Sequence, residues 1–130
     1  MGLDQYACAI TKDGDVEKLQ QWRKHSNLQG FMEQLWEDKG RLCFKDGDEV
    51  PFNPDEDGGS FGDFNCVGVK LLPVDIDALE DAVNRGTLPY TAGFFFGESR
   101  PDDKQLDLEF IEKARGAHDG GGVVVYDSWW

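Results

Sequence analysis

Cysteine, histidine and positive charge are all scarce in this chain. Three cysteines, Cys8, Cys43 and Cys66, and two histidines, His25 and His118, are the whole supply of thiolate and imidazole metal ligands in 130 residues. The cysteines form no CxxC pair and neither histidine stands at a ligand spacing, so a zinc site is not expected. An odd number of widely spaced thiols fits a reducing compartment. Thirteen Lys and Arg face 26 Asp and Glu, a formal net charge of −13. The field of such a surface repels nucleic-acid phosphates and anionic lipid, so neither direct nucleic-acid binding nor a membrane role is expected. No apolar run approaches the roughly 20 residues that span a bilayer, and the opening Met1-Gly2-Leu3-Asp4 lacks the basic and apolar regions of a secretory leader. The expectation is a cytoplasmic protein. Also missing are the phosphate loop GxxxxGKS/T, GxGxxG and GxSxG, so no cofactor is expected. His25 or His118 could be paired with Cys8, Cys66 or Ser128 for hydrolytic chemistry, but no spacing selects a pair.

What is present is enough to fold. Apolar residues make up 39% of the chain, with nine Phe and four Trp, which supports one core and one domain over residues 1–130. Alternation over residues 3–10 predicts a strand with Tyr6, Cys8 and Ile10 on one side and Leu3, Ala7 and Ala9 on the other. Asp15 then caps a helix from Val16 to about His25. Ser26 or Asn27 caps a second helix over 28–38, whose Leu28, Phe31, Met32, Leu35 and Trp36 form one apolar stripe. Residues 46–63 hold seven acids, four glycines, two prolines and no base, the composition of a mobile acidic loop. A strand over Phe64–Leu72 follows, then a helix opened by Pro73 and ended by Gly86. The glycine-bounded run Leu88–Gly97 reads as a buried strand, 103–117 as a helix with Leu106, Phe110, Ile111 and Ala114 inward, and Val123–Tyr126 as a last strand. The order β-α-α-loop-β-α-β-α-β predicts an α+β domain, a sheet of about four strands with helices mainly on one face.

The basic run Trp22-Arg23-Lys24-His25 needs explaining in so acidic a chain. On a helix, Arg23 falls between Val16 and Leu19 and points inward, Lys24 is solvated, and His25 sits at the flank. An inward guanidinium requires pairing, because burying an unpaired charge costs several kcal/mol. Three answers stay open: an internal carboxylate, Asp4 or Asp127; an anionic ligand shared with the free N–H groups at the start of the second helix; or a side chain that snorkels to water. A ligand site built this way takes Trp22, Arg23, Asn27, Leu28 and Gln29, with Tyr126 and Trp129 from the C-terminal segment. Two Trp at positions 129 and 130 either close the core or lie exposed as a binding surface. Phe94, Phe95 and Phe96 are core residues first and stacking residues second. Asn53-x-Asp55-x-Asp57-Gly58 matches the first half of an EF-hand loop, making Asn53, Asp55 and Asp57 a weak Ca²⁺ candidate. The bidentate Glu needed at its twelfth position is replaced by Phe64.

The segments MGLD, WRKHSNLQGFME, FNCV, LPYTAGFFFG, DLEFIEKAR and VYDSWW, in that order, resemble a family of small proteins found in bacteriophage genomes and in bacteria. Some phage members carry the label phosphoglycerate kinase, an enzyme whose two-domain length and nucleotide loop this chain lacks. The resemblance implies an accessory protein acting in the bacterial host cytoplasm, and it marks Trp22, Arg23, Lys24, Asn27, Gly93 to Gly97 and Asp127 to Trp129 for inspection. The leading expectation is a non-enzymatic protein that binds a small anionic, phosphate-bearing ligand or a host protein. A second is an acidic decoy that mimics nucleic acid and occupies a basic host protein. A third is a small enzyme acting on phosphorylated substrates, with Arg23 and His25 beside a carboxylate.

Overall fold

The computed structural model describes residues 2–57, 63–91 and 99–130. Within them lie β1 (Asp4–Ile10), β2 (Val16–Arg23), α1 (Ser26–Asp38), β3 (Leu42–Lys45), β4 (Asp48–Pro51), β5 (Val69–Leu71), α2 (Pro73–Arg85), α3 (Asp103–Asp119) and β6 (Val123–Trp129). The architecture is α+β. Four strands form an antiparallel sheet in the order β2-β1-β6-β5, and β3 and β4 make a separate hairpin.

The segment Val16–Arg23 is a strand, not the expected helix. Its pairing with β1 runs from Asp4 opposite Arg23 to Ile10 opposite Val16, with a bulge that leaves Leu19 without a partner between Ala7 and Cys8. The extra residue reverses the in-out alternation, so Leu19 and Trp22 both face the core although they are three positions apart. That spacing imitates a helical stripe. Arg23 is therefore exposed rather than inward, with Asp4 opposite it in the register, and no buried guanidinium needs a partner. His25 moves the other way and is only 2% exposed.

The turn out of β2 is held by Gln5. Its Nε2 donates to the His25 carbonyl at 2.9 Å and its Oε1 accepts from the His25 N–H at 2.8 Å, while Lys24 takes a left-handed φ of 57°. α1 then begins with no side-chain cap from Ser26 or Asn27. Its stripe is as expected: Leu28, Met32 and Trp36 are buried and Phe31 and Leu35 pack against them. Helices α2 and α3 also follow the sequence reading, and Gly86 closes α2 at φ 67°.

The acidic loop needs correction. Asp46 and Gly47, at φ 50° and 90°, form a two-residue turn between β3 and β4, so the first part of 46–63 is a paired hairpin. Residues 58–62 lie outside the described residues. Phe64–Cys66 is bent rather than extended and only Val69–Leu71 pairs in the sheet. The expected strand over 88–97 is absent at Leu88–Thr91, and its remainder, with Phe94, Phe95 and Phe96, lies outside the described residues.

The core sits on the sheet face that carries Leu3, Ala7, Ala9, Trp22, Val69, Leu71, Val124 and Tyr126. Trp22 meets Phe110 of α3 edge-on at 5.2 Å between centroids, and Phe64 stacks on Tyr126 at 6.4 Å. The two terminal tryptophans divide: Trp129 is exposed, whereas Trp130 donates its indole N–H to the Phe64 carbonyl at 3.0 Å.

Candidate functional site

Among the described residues, one cleft of about 330 Å³ combines an apolar wall with titratable groups. It lies where the start of α1, the end of α2 and the start of α3 converge. Ala82, Val83 and Leu88 line one side, and His25, Ser99, Asp103 and Asp107 the other, with Arg100 and Lys104 beside them.

The polar side is a continuous chain of hydrogen bonds. Asp107 stands on the buried stripe of α3 at 1% exposure. Its Oδ1 accepts from Trp22 Nε1 at 3.0 Å and its Oδ2 lies 2.8 Å from His25 Nε2. On the far side of the ring, His25 Nδ1 is 2.7 Å from Ser99 Oγ, and that oxygen accepts the Asn27 N–H at 2.9 Å. The Ser99 hydroxyl thus satisfies an N–H in the first turn of α1 that a local cap would otherwise take. Asp103 lies farther off, Oδ2 at 3.7 Å from Nδ1, and accepts the Arg100 N–H at 2.7 Å.

With Nδ1 against a hydroxyl and Nε2 against a carboxylate, the arrangement suits the Nε2–H tautomer, in which Nε2 donates to Asp107 and Nδ1 accepts from Ser99. Burial pushes the Asp107 carboxyl above the usual carboxylate range, against the opposing pull of the His25 hydrogen bond.

The residues singled out from sequence are dispersed by the fold. Trp22 touches the site from the core side through Asp107, and Asn27 lines the cleft, its Oδ1 accepting from the Thr91 N–H at 3.0 Å. Arg23 is exposed on β2 and does not line the cleft. Leu28 is core. Gln29 and Tyr126 are sealed in an internal network: the Tyr126 hydroxyl donates to Gln29 Oε1 at 2.6 Å and accepts from Gln5 Nε2 at 3.0 Å, while Gln29 Nε2 donates to Ser128 Oγ at 2.9 Å. Neither can meet a ligand. Trp129 is exposed on β6.

The half EF-hand turns its oxygens onto its own chain. Asn53 Oδ1 accepts the Asp55 N–H at 3.0 Å, and Asp57 accepts the Asn53 N–H and pairs with Lys45. Among the described residues no group of three His, Cys, Asp or Glu is placed to hold a metal ion, and no helix is long and apolar enough to cross a membrane.

Ser99 and Asp107 were not singled out from sequence. They stand 74 and 82 positions from His25, beyond the reach of any spacing rule. One signal was available: Asp103 and Asp107 continue the buried stripe of Phe110, Ile111 and Ala114 toward the start of α3, and an acid on an apolar stripe needs a partner. No family model, curated protein or solved structure matches the chain.

Proposed function

We propose that this is a phage-type accessory protein that binds a compact anionic ligand, a phosphate ester or a carboxylate, in the cleft beside His25 and Ser99. One observation carries the reading. Arg100 and Lys104 flank the cleft, and their charged ends make no ion pair among the described residues, although acids outnumber bases by 26 to 13. A cation left unpaired beside a concave, partly apolar surface is a ready anchor for an anionic group. The apolar wall of Ala82, Val83 and Leu88 accommodates the rest of the ligand. Arg23, on the exposed strand, is replaced in this role by Arg100 and Lys104.

Thermal unfolding in the presence of inorganic phosphate, pyrophosphate and a nucleoside monophosphate tests this. A bound ligand at a hundred times its Kd adds about 2.7 kcal/mol, so a dose-dependent rise in Tm is expected, absent in an Arg100→Ala/Lys104→Ala protein. An equal rise in that variant, or none with any anion, refutes the reading.

A further inference from the structure

Ligand binding leaves the hydrogen-bonded chain across the cleft unexplained. A buried carboxylate lies against one nitrogen of an imidazole, the other nitrogen stands 2.7 Å from a hydroxyl, and that hydroxyl lines the cleft half-buried rather than in the core. Each link has the distance that general-base activation of a nucleophile requires, and the Nε2–H tautomer gives it the direction. Asp107 has a structural partner in Trp22, but that contact does not explain why the far nitrogen of His25 is set against a hydroxyl at the cleft. We infer that Ser99 is a nucleophile that accepts the acyl group of an activated ester bound in the cleft, with His25 as its base and Asp107 as the residue that positions His25.

The step balances with groups on hand. Ser99 Oγ adds to the acyl carbon as its proton passes to His25 Nδ1. The acyl–oxygen bond of the ester breaks, and the imidazolium returns the proton to the departing alcohol. Water then attacks the acyl-serine, giving its proton to Nδ1, and the carboxylic acid leaves as Ser99 is restored. The Asn27 N–H already donates to Oγ at 2.9 Å and holds that oxygen in place, and the partial positive charge of the first turn of α1 favours the negative charge that develops nearby on the acyl carbonyl oxygen. The preferred substrate is an ester with an anionic group on its acyl portion, held by Arg100 and Lys104; only this preference rests on the binding function proposed above.

The test is covalent. The intact protein is treated with a neutral alkyl fluorophosphonate, and the adduct is located by mass spectrometry of its peptides. An adduct on Ser99 is expected, lost in Ser99→Ala and formed at least tenfold more slowly in Asp107→Asn. In that variant ¹⁵N spectra of His25 should show the bare nitrogen moved from Nδ1 to Nε2, a change that loss of packing alone does not produce. A wild-type peptide map without a Ser99 adduct overturns the inference whether or not any variant folds. An Asp107→Asn protein that labels at the wild-type rate overturns the positioning role. Labelling of Ser99 with no faster turnover of mono-p-nitrophenyl succinate than of p-nitrophenyl acetate upholds the nucleophile and overturns the anionic preference. A phosphate-dependent rise in Tm without labelling overturns the nucleophile and leaves the binding site standing.

Discussion

Replacing Asp107 with alanine removes the acceptor from two buried donors at once. Trp22 is 1% exposed and His25 2%; the Trp22 indole N–H donates to this carboxylate, and His25 Nε2, 2.8 Å away, donates to it in the Nε2–H tautomer. A buried donor left unsatisfied costs about 1–3 kcal/mol. Trp22 Nε1 faces the core side, where water does not replace the lost oxygen, so it bears the full cost of about 2 kcal/mol. His25 borders the cleft, and water there offsets part of its loss, leaving about 1 kcal/mol. The expected sum is about 3 kcal/mol, and for 130 residues, at an unfolding entropy of about 2.1 cal/mol/K per residue, the melting temperature falls by about 11 °C. Asp107→Asn is the control. Its amide oxygen still accepts from Trp22, and its NH₂ meets a histidine free to adopt the other tautomer, so a loss of about 1 kcal/mol or less is expected. Urea unfolding followed by tryptophan fluorescence reads both variants. An alanine variant within about 0.5 kcal/mol of wild type, or an asparagine variant as damaged as the alanine one, refutes the reasoning.

Gly30 lies in α1, where alanine ordinarily stabilises a helix by about 1 kcal/mol; here the added Cβ would lie 1.8 Å from Thr91 Oγ1, so Gly30→Ala should lower stability in urea and Gly30→Ala/Thr91→Gly should recover it. Tyr126→Phe leaves Gln29 Oε1 without its donor and should cost about 2 kcal/mol in the same assay. Burial also holds the Tyr126 phenol far above its ordinary value. The folded state therefore keeps a proton that the unfolded chain releases near pH 10, and stability falls as pH rises beyond that point. Between pH 10 and 11 the wild type should lose about 1 kcal/mol more than Tyr126→Phe, and equal slopes would refute the burial argument.

The parts of the fold legible in sequence are those whose residues repeat a single period without interruption. Leu28, Met32 and Trp36 in α1, and Ile76, Leu79 and Val83 in α2, keep helical spacing from end to end, and each helix emerges close to its expected bounds. β2 was misread because one unpaired residue, Leu19, gives a strand the three-residue spacing of a helix. That error carried into the site, since turning Arg23 inward and His25 to the flank follows from the helix alone. The Asp46–Gly47 turn had its usual dipeptide on display, but the density of acids around it read as a loop. Of the cleft, Asn27 and the neighbouring Trp22 were foreseen as ligand-binding residues, and His25 as a residue beside a carboxylate in the enzyme reading. Ser99 sits in no periodic segment, and its meeting with His25 exists only once α3 is docked against β2 and the start of α1.

β6 occupies the slot between β1 and β5, and its partner β1 comes from the opposite end of the sequence. During synthesis the β1–β2 hairpin, the helices and β5 all emerge before the strand that joins them. Until then β1 and β5 each hold out a row of unpaired N–H and C=O groups. Such an order makes folding wait on the most distant contacts in the chain, which slows it. The open slot also accepts any extended strand of the right pattern, and at high concentration the nearest supply is the last seven-residue strand of another nascent copy.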